Sequence, residues 1–143
     1  IGLTERIIFP GYISDSDLAA LMSACHALIF PSLYEGFGMP ILEAMAFDKP
    51  VLCSNVTSLP EVAGDAALFF DPRRPNEIAD AIHRVITDSN LAAQLVECGR
   101  DRLKALGDEM QMAKEYMQMF EEVIEERQNH QTAKNADASR AKF

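Results

Sequence analysis

The chain has 143 residues, 48% of them hydrophobic, a formal net charge of −9 and three cysteines, Cys25, Cys53 and Cys98. That is enough apolar material for one domain with a real core, and the acidic balance argues against nucleic acid as a partner, because nothing neutralises a phosphate backbone. Odd in number, widely spaced and without a Cys-x-x-Cys pair, the cysteines read as reduced thiols of a cytoplasmic protein, and no apolar run is long enough to span a bilayer.

Arg6 to Phe9 reads as a short strand closed by Pro10-Gly11. Ser14-Asp15-Ser16-Asp17 resembles a capping box and opens a helix to about Ala24, with Leu18, Leu21 and Met22 inward. Ala27 to Phe30 is apolar throughout, as suits a parallel strand buried on both faces, and Pro31 stops it. A glycine-rich turn follows, Glu35-Gly36-Phe37-Gly38-Met39-Pro40-Ile41-Leu42-Glu43, opening a helix to about Phe47. Gly36 and Gly38 permit positive φ and close approach of a ligand, and Pro40 suits the first helical position. The amides of Met39, Ile41 and Leu42 then point out of a helix N-terminus, a setting that favours a diphosphate. Glu43 falls in the first turn, where its carboxylate can accept from ribose hydroxyls; Glu35 can reach sugar hydroxyls on the far side of the phosphate.

Val51 to Cys53 is the next buried strand, Leu59 to Val62 a short helix, and Ala67 to Phe70 another strand. Pro75 starts a helix to about Thr87 with Ile78, Ile82, Val85 and Ile86 inward; further helices span about Leu91 to Ala105 and Glu109 to Arg127. Strand and helix units alternating at this length predict an α/β, Rossmann-like parallel sheet with helices on both faces. It is incomplete, with about four strands against the six of a full fold. In such sheets ligands bind beyond the carboxyl ends of the strands, where Glu35 to Glu43 lies.

On the last helix, Met110, Ala113, Met117, Phe120 and Ile124 form one apolar stripe, and Met112, Tyr116, Met119 and Val123 an adjacent one. Either the helix is laid deeply into its own core, or one stripe docks on another domain and leaves an isolated fragment prone to self-association. Residues 1–127 thus form a partial domain, and 128–143 a polar tail expected to be disordered. His26, His83 and His130 have no ligand partners in sequence, so no metal site is expected. Arg73-Arg74 suits a solvated turn better than a phosphate contact.

The run Phe30 to Ala46 closely resembles the donor-site signature of retaining glycosyltransferases of the GT-B fold, family 4. The likeness includes Phe9-Pro10-Gly11-Tyr12-Ile13, Pro50 to Asn55, Leu59 to Ala67 and Asp71-Pro72, and covers roughly residues 5 to 126. It implies the C-terminal, donor-binding half of an enzyme of polysaccharide biosynthesis that transfers a sugar from a nucleoside diphosphate sugar, of GDP-mannose or UDP-glucose type, to an acceptor hydroxyl. By the same resemblance Glu35 is the catalytic residue at the transferred sugar, Glu43 holds the ribose, and Gly36, Phe37, Gly38, Met39, Ile41 and Leu42 bind sugar and diphosphate. Ile13 is a candidate base contact. No cofactor or metal is required. A basic Arg and Lys pair and an N-terminal acceptor domain of the same chain would precede these residues, and the fragment alone would be inactive. The full enzyme is compatible with peripheral attachment to a membrane.

Three positions depart from the family pattern. Asp48 replaces a usual glycine and His26 a frequent aspartate, both read as surface variation. Thr57-Ser58 replace a common glycine pair and bear on the loop facing the donor. The rival reading is a non-catalytic nucleotide-sugar binding module. A nucleotide-sugar epimerase of related shape would lack the Glu35 to Glu43 framing, and a scaffold domain has only the broad apolar face of the last helix in its favour.

Overall fold

The computed structural model describes residues 5–107. Three parallel strands, β1 (Leu28–Phe30), β2 (Val51–Ser54) and β3 (Ala67–Phe70), lie in the order β1-β2-β3. Leu28 pairs with Val51 and Val51 in turn with Ala67, so the strands start level. Helices α2 (Met39–Ala46) and α3 (Leu59–Ala63) make the two crossovers. Successive crossovers of one hand, made in one direction, put both helices on the same face. That face holds Ile41, Ala44, Met45, Leu59, Val62 and Ala63 against Val51, Cys53 and Ala67.

Side chains alternate along a strand, so Leu52 points the other way and joins Phe70 with Ala81, Val85 and Leu95. These last three belong to α4 (Pro75–Thr87) and α5 (Ser89–Leu106). Every residue of β2 is buried, the outcome expected of an unbroken apolar run covered on both faces. Burying each large side chain there contributes about 1.5–3 kcal/mol. The helix over Asp15–Ala24, α1, begins as the capping pattern implies: the Ser14 hydroxyl accepts from the Asp17 amide at 3.2 Å and donates to the Asp17 carboxylate at 2.7 Å.

Several expectations are corrected. Arg6 to Phe9 is irregular, with Ile7, Ile8 and Phe9 50%, 85% and 89% exposed. A strand needs a ladder partner for its amides and carbonyls, and none pairs with this segment among the described residues, so three strands stand where four were expected. β1 is therefore an edge there, and Ile29 is partly exposed rather than covered on both sides. In α1 only Met22 packs on the core, while Leu18 and Leu21 stay exposed; on α4, Ile86 is exposed although Ile78, Ile82 and Val85 turn inward. The helix expected over 109–127 and the tail lie outside the described residues.

The helix α5 marks one end of the sheet. Arg100 bonds Asp48, just before β2, at 2.7 Å, and Arg102 donates to the carbonyls of Glu61 and Val62, just before β3. The loop from Pro31 to Gly38 leaves β1 at the opposite, carboxyl end. The chemistry expected from the sequence gathers there.

Candidate functional site

Pro31 ends β1, and the buried Ser54 hydroxyl holds the departing chain by donating to the Phe30 carbonyl at 3.4 Å. Four residues later Glu35 is half-buried, with its carboxylate accepting from the Ser32 hydroxyl at 2.9 Å. The Glu35 amide donates to the Thr57 hydroxyl at 3.2 Å. The Ser58 hydroxyl donates to the carbonyls of Glu35 and Phe37, at 3.0 and 3.3 Å, in a three-centre bond. Thr57 and Ser58 belong to the turn between β2 and α3, so two neighbouring strands meet at this loop.

Gly38 caps α2 at φ 98° and ψ 46°, a left-handed conformation that a side chain makes costly. A Cβ there would also lie 2.6 Å from Leu59 Cδ2, so this glycine is fixed by the fold. Gly36 differs: its φ is not positive, contrary to expectation, and a Cβ would meet nothing within 4 Å. Among the described residues, nothing requires glycine at position 36.

Among the described residues, the main-chain amides of Gly36, Phe37, Gly38 and Met39 donate to no protein acceptor. Consecutive free donors ahead of a helix are the kind of group that binds an anion. Ile41 must be removed from the expected set. Its amide donates to the Gly38 carbonyl at 3.0 Å and its side chain is fully buried, which makes it the anchor of α2 rather than a ligand contact.

Pro40 is at the second helical position, so Glu43 is the fifth residue of α2 and lies in its second turn, not its first. At about 100° per residue it falls on the same stripe as Met39, one turn along, on the side opposite the buried Ile41, Ala44 and Met45. Glu43 is exposed on that stripe, and helical side chains lean toward the helix N-terminus. Leu42 is half-buried, and Phe37 and Met39 are exposed beside the loop. Ile13 is half-buried in the irregular segment before α1, and no hydrogen bond ties it to the Glu35 loop.

Other features are less suited to a polar ligand. A cleft of about 120 Å³ between β1 and α4 is lined by His26, Ala27, Ile29, Leu52, Ile82, Val85 and Ile86, apolar walls that share no residue with the loop. Arg74 pairs with Asp71 and Glu77 on the surface, the solvated turn expected of that segment. Among the described residues no three His, Cys, Asp or Glu side chains are grouped to hold a metal, and no helix is long and apolar enough to cross a membrane. The cysteines are unpaired; Cys53 is buried, which pushes its thiol up to about 12, and Cys25 and Cys98 are half-buried.

Two contributors were legible only as departures from a pattern. Thr57-Ser58 stood out as side chains where glycines are usual; that they reach across 21 to 23 residues to Glu35 and Phe37 is a tertiary fact. Asp48, read as surface variation, forms the ion pair with Arg100.

Comparison with known proteins gives a consistent picture. The family model described as glycosyl transferases group 1 matches residues 1–102. The O-antigen chain mannosyltransferase B of Escherichia coli is 50% identical over 84 residues, which are 59% of this chain and 22% of that protein. Among solved structures, a sucrose-phosphate synthase from Thermosynechococcus elongatus superposes with a TM-score of 0.72 at 35% identity, covering 82% of this chain and 31% of that one. The C-terminal domain of a glycosyl transferase group 1 family protein from Francisella tularensis gives 0.64 at 33% identity, covering 73% and 55%. The chain thus spans about a fifth of the length of that E. coli relative.

Proposed function

Because the chain belongs to the group 1 glycosyl transferases, we propose that the protein containing it transfers a hexose from a nucleoside diphosphate sugar to an acceptor hydroxyl with retention of configuration, and that this segment carries the donor site. The observation that supports this reading best is the row of four free amides, Gly36 to Met39, framed by Glu35 and Glu43 at the carboxyl end of the sheet. The mannosyltransferase among its relatives favours a GDP-mannose type of donor over a UDP-glucose type. The rest of the enzyme, including the acceptor domain, lies in the same polypeptide, and on this reading the segment alone binds donor weakly and transfers nothing.

In the reaction, the bond from the anomeric carbon to the phosphate oxygen breaks as a bond to the acceptor oxygen forms. Front-face attack lets the acceptor proton pass to the departing phosphate oxygen, so retention needs no second displacement. Negative charge grows on the diphosphate, and preorganised amides that lower its energy more in the transition state than in the ground state act directly on the barrier. They also carry that charge without a metal ion from this segment. Glu35, held by Ser32, faces the sugar and stabilises positive character at its anomeric carbon. Glu43 accepts from the ribose hydroxyls one helical turn away. The three unpaired cysteines favour a cytoplasmic setting for the reaction.

Glu43→Ala in the complete polypeptide should weaken donor binding about tenfold, the worth of one bond to a charged group. Glu35→Ala should lower kcat more than it raises the donor KM. Wild-type rates and affinities in both variants would refute the assignment. Donor binding with no transfer to any acceptor would mark a binding module instead.

A further inference from the structure

The turn Asn55–Ser58 does more than connect β2 to α3. Thr57 holds φ at 52°, a region that a β-branched residue enters only under constraint. Its hydroxyl takes the Glu35 amide at 3.2 Å, while the next residue's hydroxyl is shared between the Glu35 and Phe37 carbonyls. Two side chains from one turn therefore hold three main-chain groups of the neighbouring loop. A glycine pair at these positions could make none of these side-chain bonds.

The peptide geometry gives the arrangement its consequence. In a trans peptide unit the N–H lies antiparallel to the C=O. Drawing the Glu35 and Phe37 carbonyls toward Ser58 turns the amides of Gly36 and Gly38 to the side away from it. Those are two of the four free donors. The bond from Thr57 fixes the main chain at Glu35 itself, while Ser32 orients its carboxylate at 2.9 Å.

We infer that Thr57 and Ser58 are positioning residues for the donor loop, Ser58 setting the direction of the Gly36 and Gly38 amides and Thr57 the seat of Glu35. The inference rests on the donor-site reading above and adds the device that preorganises it. It assigns the two hydroxyls different effects. Loss of the Ser58 hydroxyl loosens the anion cradle and weakens donor binding. Loss of the Thr57 hydroxyl displaces the carboxylate facing the sugar and lowers turnover.

The test uses the complete polypeptide, with GDP and UDP as binding probes and GDP-mannose and UDP-glucose as donors. Ser58→Ala should raise the dissociation constant of the preferred diphosphate about 5- to 10-fold, and Ser58→Thr, which keeps the hydroxyl, should restore it. Thr57→Gly should lower kcat about 10-fold with donor KM within about 2-fold. The same variant relieves the positive φ, so its thermal midpoint should hold or rise, which separates positioning from mere folding. Thr57→Ser should keep most of the turnover. Wild-type affinity in Ser58→Ala, or wild-type turnover in Thr57→Gly, overturns the inference, while Glu43→Ala still reports on the donor site independently. If the wild-type protein binds none of the four nucleotides, the donor-site reading fails and this inference with it.

Discussion

Asp48 and Thr57 stand at opposite ends of β2, and both are side-chain-bearing residues at positive φ, 56° and 52°. At the amino end, the Asp48 carboxylate reaches Arg100 of α5 in an ion pair whose side chains are 53% and 56% exposed. At the carboxyl end, the Thr57 hydroxyl reaches the main chain of a loop that carries four free amides. The glycines repeat the contrast. Gly99 lets α5 pack against Met45, whereas Gly38 lets α2 start beside Leu59. One end uses these devices to close the fold and the other to hold backbone donors open, so similar backbone strain has different meanings according to what its side chain reaches.

The contrast breaks most visibly at Gly38. Gly38→Ala should destabilise the protein by roughly 2–5 kcal/mol, from left-handed strain together with overpacking on the fully buried Leu59. Denaturant unfolding would measure this, and donor binding should be lost with it. Gly36→Ala sharpens the point from the other side. With open space around the added Cβ, unfolding should shift by less than about 0.5 kcal/mol while nucleotide affinity falls about tenfold; equal affinity would mean that no ligand approaches there.

At the far end, Gly99→Ala would place a Cβ 3.1 Å from Met45 Cγ. The helix gains about 1 kcal/mol from alanine and a flexible methionine can yield, so stability should change by less than about 1 kcal/mol, with donor affinity unchanged.

The smallest effect is electrostatic. The hydrogen bond from Arg100, aided by its charge, holds the Asp48 carboxyl below the usual carboxylate range. A group whose pKa is lowered by folding stabilises above its unfolded value, and that contribution disappears as pH falls through the folded one. Arg100→Gln should therefore lower the thermal midpoint slightly at pH 6. The gap to wild type should close as pH drops from about 4 through the lowered value, and added salt should shrink it.

Much of this was written in local patterns. Val51 to Cys53 announced itself as a buried strand, because apolar residues without alternation have no solvent face to offer, and Ala67 to Phe70 as another strand of the same sheet. Ser14 and Pro75 marked helix starts through capping and a fixed φ, effects that act within a few residues. Gly38 was legible as the cap of α2 because a glycine just ahead of a proline-led helix start implies a left-handed backbone at fixed spacing.

What only the tertiary structure decided depends on groups distant in sequence. Arg6 to Phe9 has strand composition, but a strand exists only where a partner supplies its hydrogen bonds. Ile41 looked like a ligand contact until packing buried its side chain and the Gly38 carbonyl took its amide. The hydroxyls of Thr57 and Ser58 meet the Glu35 loop only because β1 and β2 lie side by side, and no local rule encodes a neighbour more than 20 residues away.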